Sequence, residues 1–504
     1  MAVQVRTRQG MVEGEQRGGH AAFRGIPFAK PPVGPLRFRA PEPPEAWSGV
    51  RAALTHGPSA MQGSSAVAGM AATGALSEDC LYLNVDTPAA DGRRRPVLFW
   101  IHGGGFTLGS GSSPVYDGGP LAERGDTVVV TINYRLGALG YLSLAEHGGE
   151  RLGASANVGQ LDQIAALRWV RDNIEAFGGD PDNVTIFGES AGSFAVCMLL
   201  VMPEARGLFH RAVAQSGASL SLADGAVAAK ITSALMAGLG IAENDVEALW
   251  KVPAEAIIAA QADAAREVSG RSYFPVLDGK TVPLQPGDAI AAGHSAQVPL
   301  VIGTNRDELN LFLMPLLRTL DKPMTDEQAC AVIARELPRS AAERVPGLLA
   351  TYRESRSARG LPHGNRALLG AIQGDYRFRI ASIRFAEAYR AVQPSTFMYL
   401  FCYESPAMRG ALRACHALEI PFVFGALGAP FQDRFAGKGP EVERLSERVM
   451  DAWLAFGRRG SPSLPQADWI PYDAQRRATM VFDLQSRLED APYEQERVAW
   501  DGIA

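Results

Sequence analysis

The sequence predicts an α/β protein built on a mostly parallel β-sheet, and three observations support this class. Short apolar runs recur along the chain, and helical patterns separate them. Each run is apolar at consecutive positions, which is typical of strands buried on both faces. Strands that alternate with helices in this way predict a parallel sheet covered by helices. With 504 residues, of which 47% are hydrophobic, the chain can bury a large core.

Five apolar runs predict the strands, which are 96–101, 127–133, 184–187, 298–302 and 396–403. A helix is predicted over 157–177, where Asn157 and Gln160 have the spacing of a capping box. A second helix is predicted directly after Ser190. Residues from about 310 to 395 contain few strand-like runs and predict a helical insertion over the active site. Because no linker interrupts the chain, residues 1–504 are expected to form a single domain.

Charge and composition exclude several function classes. Lys and Arg total 49 against 54 for Asp and Glu, a net charge of −5 that favours neither nucleic acid nor an anionic membrane. The longest apolar stretch, 194–202, is far shorter than the roughly 20 residues that span a bilayer. The amino terminus has no apolar signal-peptide core, so a cytoplasmic protein is expected.

The five cysteines are odd in number, scattered, and without a C-x-x-C pair. That spacing predicts neither a disulfide framework nor a zinc site. No metal or organic cofactor is expected for the reaction. The sequence leaves the oligomeric state open between a monomer and a small homo-oligomer.

The nucleophile candidate is Ser190, in the G-x-S-x-G sequence Gly188-Glu189-Ser190-Ala191-Gly192. This pattern follows an apolar strand and begins an apolar helix, which is the context that a nucleophile elbow requires. The glycines permit a turn too tight for Cβ atoms, and the following helix offers free N–H groups at its amino terminus. The alternative is an ordinary glycine-rich turn with an exposed serine.

An oxyanion hole is predicted in the sequence His102-Gly103-Gly104-Gly105-Phe106, which follows the strand 96–101. Consecutive glycines let backbone N–H groups approach a substrate carbonyl, and the N–H of Ala191 would be a further donor. His102 precedes the serine, which is the wrong chain order for the base of such a site. It is therefore interpreted as a packing or hydrogen-bonding residue.

The acid and the base should follow the serine in that order. Asp307 and Glu308 both lie just past the strand 298–302, so either carboxylate fits the position of the acid. The histidines after Ser190 are His210, His294, His363 and His416. The first two precede the acid, and His363 is interpreted as an exposed loop residue. His416 follows the strand 396–403, the position expected for the catalytic histidine.

Several long segments together resemble the type-B carboxylesterases, which include the cholinesterases and bacterial p-nitrobenzyl esterases. They are FRGIPFAKPPVGPLRF, SEDCLYLNV, HGGGF, VVVTINYRLG, GESAG, AVAQSGAS, GTNRDE and HALEIPFVFG, in this order. The resemblance covers nearly the whole chain. It implies an α/β-hydrolase fold and a Ser–Glu–His triad. Two segments, QSGAS and LDGKTVP, resemble the bacterial members of the family more than the cholinesterases.

The resemblance also assigns the site residue by residue. It implies Ser190, Glu308 and His416 as the triad, with Asp307 as the less favoured acid. It implies Gly104, Gly105 and Ala191 as the oxyanion donors. It also implies that Glu189 and Ser216 lie next to the catalytic residues and help to position the acid and the histidine.

Three features depart from the family pattern. Cys80 lies in the segment whose cysteine usually bridges to an upstream one, but it is the first cysteine of this chain. Residues 59–79 contain no aromatic side chain, which argues against a cation–π site for choline there. Leu309 follows Glu308 where the family usually has glycine, so a changed local loop is expected.

The expected function is a serine carboxylesterase that hydrolyses uncharged short- or medium-chain acyl or aryl esters through an acyl-serine intermediate. The same site would also serve an amidase, a carbamate hydrolase or a lipase. A non-catalytic binding module of the same fold is a further alternative, although such modules lack the nucleophile. The expected partner is a small ester substrate.

Overall fold

The computed structural model describes residues 1–65, 72, 74–223, 225–268, 273–317, 322–465 and 467–503. The chain divides into two compact units. The first comprises Met1–Ala214, Ser219–Pro299 and Gly457–Gly460. The second comprises Gln215–Ala218, Leu300–Phe456 and Ser461–Ala504.

The first unit is built on strands in the order β1-β2-β3-β7-β9-β8-β10-β11, with β4 beside β2 and β5 paired with β6. The strands are β1 (Ala2–Arg6), β2 (Met11–Arg17), β3 (His20–Pro27), β4 (Val50–Ala52), β5 (Ser59–Ala60), β6 (Leu76–Ser77), β7 (Tyr82–Thr87), β8 (Arg95–Ile101), β9 (Val128–Ile132), β10 (Gly179–Glu189) and β11 (Arg211–Gln215). Neighbours from β1 to β9 are antiparallel, whereas β9, β8 and β10 are parallel.

The helices of the first unit are α1 (Gly119–Gly125), α2 (Gly137–Tyr141), α3 (Ala145–Gly148), α4 (Val158–Asn173), α5 (Ala191–Leu199), α6 (Gly225–Gly238), α7 (Ala254–Val268) and α8 (Pro286–Ala291). The core of this unit includes strands β8 and β9, whose apolar side chains are almost entirely inaccessible to solvent. This explains why the sequence of both strands is apolar at consecutive positions.

The second unit contains the strands β12 (Leu300–Asn305), β13 (Thr396–Phe401), β14 (Ala478–Phe482) and β15 (Arg487–Asp490). The first three are parallel, and β15 is antiparallel to β14. Its helices are α9 (Met314–Leu317), α10 (Asp326–Glu336), α11 (Val345–Ala358), α12 (Asn365–Gly374), α13 (Ile380–Arg390), α14 (Ile420–Val423), α15 (Gln432–Phe435), α16 (Pro440–Arg459) and α17 (Glu494–Val498). One π-helical turn, Asp375–Arg379, joins α12 to α13.

All five predicted strands are present as β8, β9, β10, β12 and β13, and their parallel pairing confirms the predicted sheet type. Both predicted helices are also present, as α4 and α5. The region from 310 to 395 contains α9 to α13. That these helices cover an active site, and that the chain is a single domain, stay predictions.

The predicted capping box at the start of α4 is wrong. Asn157 makes no capping hydrogen bond with its side chain. Instead, its amide group exchanges two hydrogen bonds with the backbone of Val276, each 3.0 Å long, and donates to Thr281. A contact far away in the sequence therefore occupies the side chain that the local pattern assigned to the helix.

None of the helices in the part of the chain that the structure describes is both long and apolar enough to cross a membrane.

A buried ion pair anchors α4 in the first unit. Arg135 donates two parallel hydrogen bonds to the carboxylate of Asp162, of 2.8 and 2.6 Å, and its backbone N–H donates a third of 3.0 Å. Both side chains are buried. Because the attraction in such a pair offsets a large desolvation cost, loss of one partner leaves a buried charge without compensation.

Replacement Asp162→Ala should lower the free energy of unfolding by about 3–5 kcal/mol, because it leaves the Arg135 guanidinium buried and unpaired. Denaturant unfolding followed by circular dichroism measures this change. The matched control is Glu204→Ala, which breaks the exposed pair between Arg168 of the same helix and Glu204. That variant should lose no more than about 1 kcal/mol. Equal losses in the two variants would contradict the structural role of the buried pair.

Candidate active site

Ser190 lies at the turn between β10 and α5, in a strained backbone conformation. Its φ is 56° and its ψ is −121°, a region that residues other than glycine rarely adopt. The residue is half-buried, while its neighbours Glu189 and Ala191 are buried. Such a turn lifts one side chain out of the backbone path, so the predicted elbow geometry is present at this serine.

The two glycines of the motif are required by close backbone packing. A Cβ atom on Gly192 would lie 2.0 Å from the carbonyl oxygen of Ile101, and one on Gly188 would lie 2.7 Å from the same oxygen. Both distances are far inside van der Waals contact. The turn after β10 therefore packs against the end of β8 only because neither position has a side chain.

The predicted oxyanion loop begins directly after β8. Gly104 and Gly105 have φ angles of 109° and 62°, so the loop uses the backbone freedom of glycine at both positions. A Cβ atom on Gly103 would lie 3.1 Å from the Cβ of Ser190, which shows how closely this loop passes the serine. Ala191 is the first residue of α5, so its N–H has no partner within the helix.

His102 has the structural role that the sequence predicted. It is fully buried, its ring stacks on Tyr134 at 4.5 Å, and its Nδ1 lies 2.8 Å from the Gly103 carbonyl oxygen. The hydroxyl group of Tyr134 donates to the His102 carbonyl oxygen at 2.8 Å. Burial lowers the pKa of His102 to about 4, so the imidazole is neutral near pH 7.

The structure brings Glu308 and His416 together in the second unit. Nδ1 of His416 lies 2.6 Å from Oε2 of Glu308, and both side chains are buried. The other carboxylate oxygen, Oε1, accepts a hydrogen bond of 2.7 Å from the backbone N–H of Asn305. Phe312 and Phe378 pack against the imidazole at 5.0 and 4.8 Å. Glu308 is thus held at the ring nitrogen that orients a catalytic histidine.

Asp307, the other candidate acid, is engaged elsewhere. Its carboxylate accepts hydrogen bonds of 2.8 Å each from Arg306 and from Arg356. Burial alone would raise the pKa of this carboxyl group, but the two guanidinium groups lower it. Asp307 is therefore a charged structural residue, and Glu308 is the carboxylate beside the histidine.

The remaining predicted residues lie as follows. Glu189 is buried at the end of β10. The Oε2 atom of Glu189 lies 2.6 Å from the position that a Cβ atom on Gly103 would occupy, so this side chain is close to the glycine loop. Ser216 is buried with a φ of 59°, and its N–H donates to the Gly303 carbonyl oxygen at 2.8 Å. Ser190, Glu189 and the glycines of the predicted oxyanion loop belong to the first unit, whereas Ser216, Glu308 and His416 belong to the second.

Comparison with known proteins shows the family to which the chain belongs. The model of the carboxylesterase family matches residues 1–500. The para-nitrobenzyl esterase of Bacillus subtilis is 39% identical over 98% of this chain and 97% of its own length. The phenmedipham hydrolase of Pseudarthrobacter oxydans is 36% identical, with 94% of each chain covered. The crystal structure of a Geobacillus stearothermophilus carboxylesterase superimposes with a TM-score of 0.85, at 42% identity and 99% coverage of both chains.

The chain belongs to the carboxylesterase family. It has the α/β-hydrolase fold of its structural relatives, as the sequence predicted. It is a serine carboxylesterase that hydrolyses esters, and a Ser–Glu–His triad is typical of the family.

Two polar residues behind the histidine of this carboxylesterase were not predicted. The Asn305 amide donates hydrogen bonds to the Cys415 carbonyl oxygen at 2.7 Å and to Glu419 at 2.6 Å. Glu419 also accepts a hydrogen bond of 3.2 Å from Gln215. The sequence signal for Glu419 was a carboxyl group within the apolar run ALEIPFVFG, where an unpaired charge would be costly.

The departures from the family pattern are accommodated locally. Leu309 is buried in a short 3₁₀-helix, Glu308–Leu311. Its side chain packs beside Gly374, since its Cδ2 atom lies 3.5 Å from the position that a Cβ atom on this glycine would occupy. All five cysteines are free thiols, so Cys80 forms no disulfide. Cys415, which precedes His416, is buried, and burial is typical of a cysteine that packs in a core.

Replacement Gly192→Ala should abolish most esterase activity, because its methyl group would push the turn at Ser190 away from Ile101. Overpacking of this kind costs about 1–3 kcal/mol of stability. Assays of p-nitrophenyl butyrate hydrolysis, with thermal unfolding beside them, measure both effects. The control is Gly238→Ala at the end of α6, where a Cβ meets nothing within 4 Å. Unchanged activity in Gly192→Ala would show that the turn tolerates a side chain.

Proposed function

We propose that this carboxylesterase hydrolyses small uncharged esters with Ser190 as the nucleophile, His416 as the general base and Glu308 as the carboxylate that orients the histidine. The observation that carries the proposal is the contact of 2.6 Å between His416 Nδ1 and Glu308 Oε2. A carboxylate at Nδ1 holds the proton there and leaves Nε2 able to accept the serine proton. The strained turn at Ser190 supports its role as the nucleophile.

The proposed reaction has two halves. Ser190 Oγ attacks the ester carbonyl carbon while its proton passes to Nε2 of His416, and a tetrahedral intermediate forms. The C–O bond to the alcohol then breaks, and the histidine returns the proton to the leaving oxygen. Water attacks the resulting acyl-serine with the same histidine as base. The acid leaves, and Ser190 recovers its proton.

We assign the oxyanion hole to the backbone N–H groups of Gly104, Gly105 and Ala191. The positive φ angles of the two glycines and the position of Ala191 at the first turn of α5 support this assignment. Donors that are already oriented stabilise the developing negative oxygen without reorganisation. Glu189 and Ser216 are proposed as positioning residues.

The aromatic side chains near the proposed nucleophile favour aryl and short- or medium-chain acyl groups. Phe274 is 39% exposed, and its ring contacts Phe106 at 5.2 Å and Phe194 at 6.2 Å. Phe106 follows the oxyanion glycines, and Phe194 lies on the first turn of α5. An apolar surface beside these elements binds uncharged groups better than charged ones. Carbamates, amides and lipids use the same chemistry and are the alternative substrates.

We further propose a cytoplasmic enzyme that is a monomer or a small homo-oligomer and binds neither nucleic acid nor membrane. The five free thiols are typical of a reducing compartment. The net charge of −5 gives no attraction to polyanions. Size-exclusion chromatography with light scattering determines the oligomeric state.

Replacement Ser190→Ala should lower kcat for p-nitrophenyl butyrate by about 10⁴–10⁶-fold, because no acyl-enzyme can form. The wild type, but not the variant, should react covalently with a fluorophosphonate probe. Matching p-nitrophenyl carbamates and p-nitroanilides test the alternative substrates. Wild-type protein with neither turnover nor labelling would favour a binding module, and an active variant would contradict the role of Ser190.

Replacement Glu308→Gln should lower kcat on the order of 10³–10⁴-fold, because the amide cannot stabilise the imidazolium. The neighbouring Asp307→Asn is the control, since Asp307 binds Arg306 and Arg356 rather than the histidine. Asp307→Asn should lower the midpoint of thermal unfolding while kcat changes little. The reverse pattern, with kcat lost in Asp307→Asn, would identify Asp307 as the acid.

A further inference from the structure

We propose that His20, Asp86 and Asp117 in the first unit form a binding site for a divalent transition-metal ion such as Zn²⁺. His20 begins β3, Asp86 lies on the adjacent strand β7, and Asp117 precedes α1. One ligand atom from each residue lies within 4.8 Å of the other two. One nitrogen and two carboxylate oxygens are a donor set that suits zinc and similar ions.

Hydrogen bonding already prepares His20 as a metal ligand. Its Nδ1 lies 2.9 Å from Oε1 of Glu123 on α1. With an ion bound, a carboxylate at that position would hold the proton on Nδ1 and leave the lone pair of Nε2 for the ion. The same carboxylate–histidine arrangement orients the histidine ligands of many metal sites.

The surroundings of the His20 Nε2 atom are a second indication of a bound ion. The residue is only 8% exposed, and this buried nitrogen makes no hydrogen bond within the described part of the chain. It lies 3.5 Å from Oδ1 of Asp86. The Asp86 and Glu123 carboxylates raise the pKa of His20 although burial opposes this, so a positive charge between Nε2 and Asp86 is favoured. In the free protein a proton supplies that charge, and the metal ion would take its place.

The charges around this cluster leave room for a divalent cation. Asp86, Asp117 and Glu123 bring three negative charges. Arg24 brings one positive charge, because its Nη2 lies 2.7 Å from Asp86 and 3.5 Å from Asp117. Once the ion has displaced the proton from Nε2 of His20, the imidazole is neutral and the other groups have a net charge of −2, which a divalent ion would cancel.

The other charged side chains that face the cluster do not change this balance. Arg17 and His56 line a cavity of about 500 Å³ whose wall also includes Asp86 and Asp117. Arg17 forms a hydrogen-bonded ion pair of 2.6 Å with Glu15, and Nδ1 of His56 lies 3.0 Å from the side-chain oxygen of Asn84. The cavity has space for the water molecules that would complete the coordination of the ion.

The backbone at the start of α1 allows this close approach. A Cβ atom on Gly119 would lie 2.5 Å from the His20 ring, and one on Gly118 would lie 2.8 Å from Oδ2 of Asp86. The carboxylate of Asp117 is half exposed, so it can move to the distance of about 2.0–2.2 Å at which oxygen binds zinc.

This position separates the site from the proposed nucleophile. Asp86 pairs with Val129 near the start of β9, whereas Ser190 follows the carboxyl end of β10. Since β9, β8 and β10 are parallel, the two places are at opposite ends of these strands. The ion would join β3, β7 and the loop before α1, and its effect would be on stability rather than on the chemical step.

Calorimetric titration of the full-length wild type with ZnCl₂ tests the proposal, after treatment with EDTA and dialysis. At about pH 8 the imidazole competes least with protons. One saturable Zn²⁺ site per chain is expected, with a higher midpoint of thermal unfolding in its presence. The variants His20→Ala and Asp117→Asn should each bind Zn²⁺ at least about tenfold more weakly, and Glu123→Gln about 10–100-fold more weakly.

The matched control is His363→Ala, which removes an exposed histidine far along the chain and should bind Zn²⁺ as the wild type does. Asp117 has a half-exposed side chain, so its variant should keep the fold, which circular dichroism checks. The absence of saturable Zn²⁺ binding by the wild type would overturn the proposal. Undiminished binding by both His20→Ala and Asp117→Asn would overturn it as well.

Discussion

The carbonyl oxygen of Ile101 sets the geometry on which the nucleophile half of the site depends. Gly188 and Ile101 are partners in the parallel ladder between β10 and β8, so the carboxyl ends of the two strands lie side by side. The chain then turns at Ser190 and passes the same oxygen again at Gly192. Any side chain at either glycine would separate the strands from the helix.

The same contact also sets the position of the proposed oxyanion loop. His102 directly follows Ile101, and stacking on Tyr134 holds its ring in place. The glycines that come next are therefore attached to a rigid strand end rather than to a mobile loop. One close backbone packing contact thus positions both the serine and the loop with the proposed donors, which is why small residues cluster there.

In the second unit, the ends of two adjacent parallel strands bring Glu308 to His416. Asn305 ends β12 and pairs with Phe401 at the end of β13, so the loops after both strands begin at one edge. Asn305 then connects these loops, because its N–H binds Glu308 and its amide binds the Cys415 carbonyl oxygen. Glu308 and His416 are 108 positions apart in the chain, yet strand pairing makes them neighbours.

The sequence by itself determined the strand and helix types and the elbow, because hydrophobic periodicity and glycine spacing are local properties. The resemblance to the carboxylesterases selected Glu308 over Asp307, which local reasoning had left open. Only the tertiary structure decided that Asp307 pairs with two arginines and that Asn157 binds Val276 instead of capping α4. It also brought His20 next to Asp86. The physical reason is that buried polar groups must find partners in space, and sequence spacing does not say which distant residues those are.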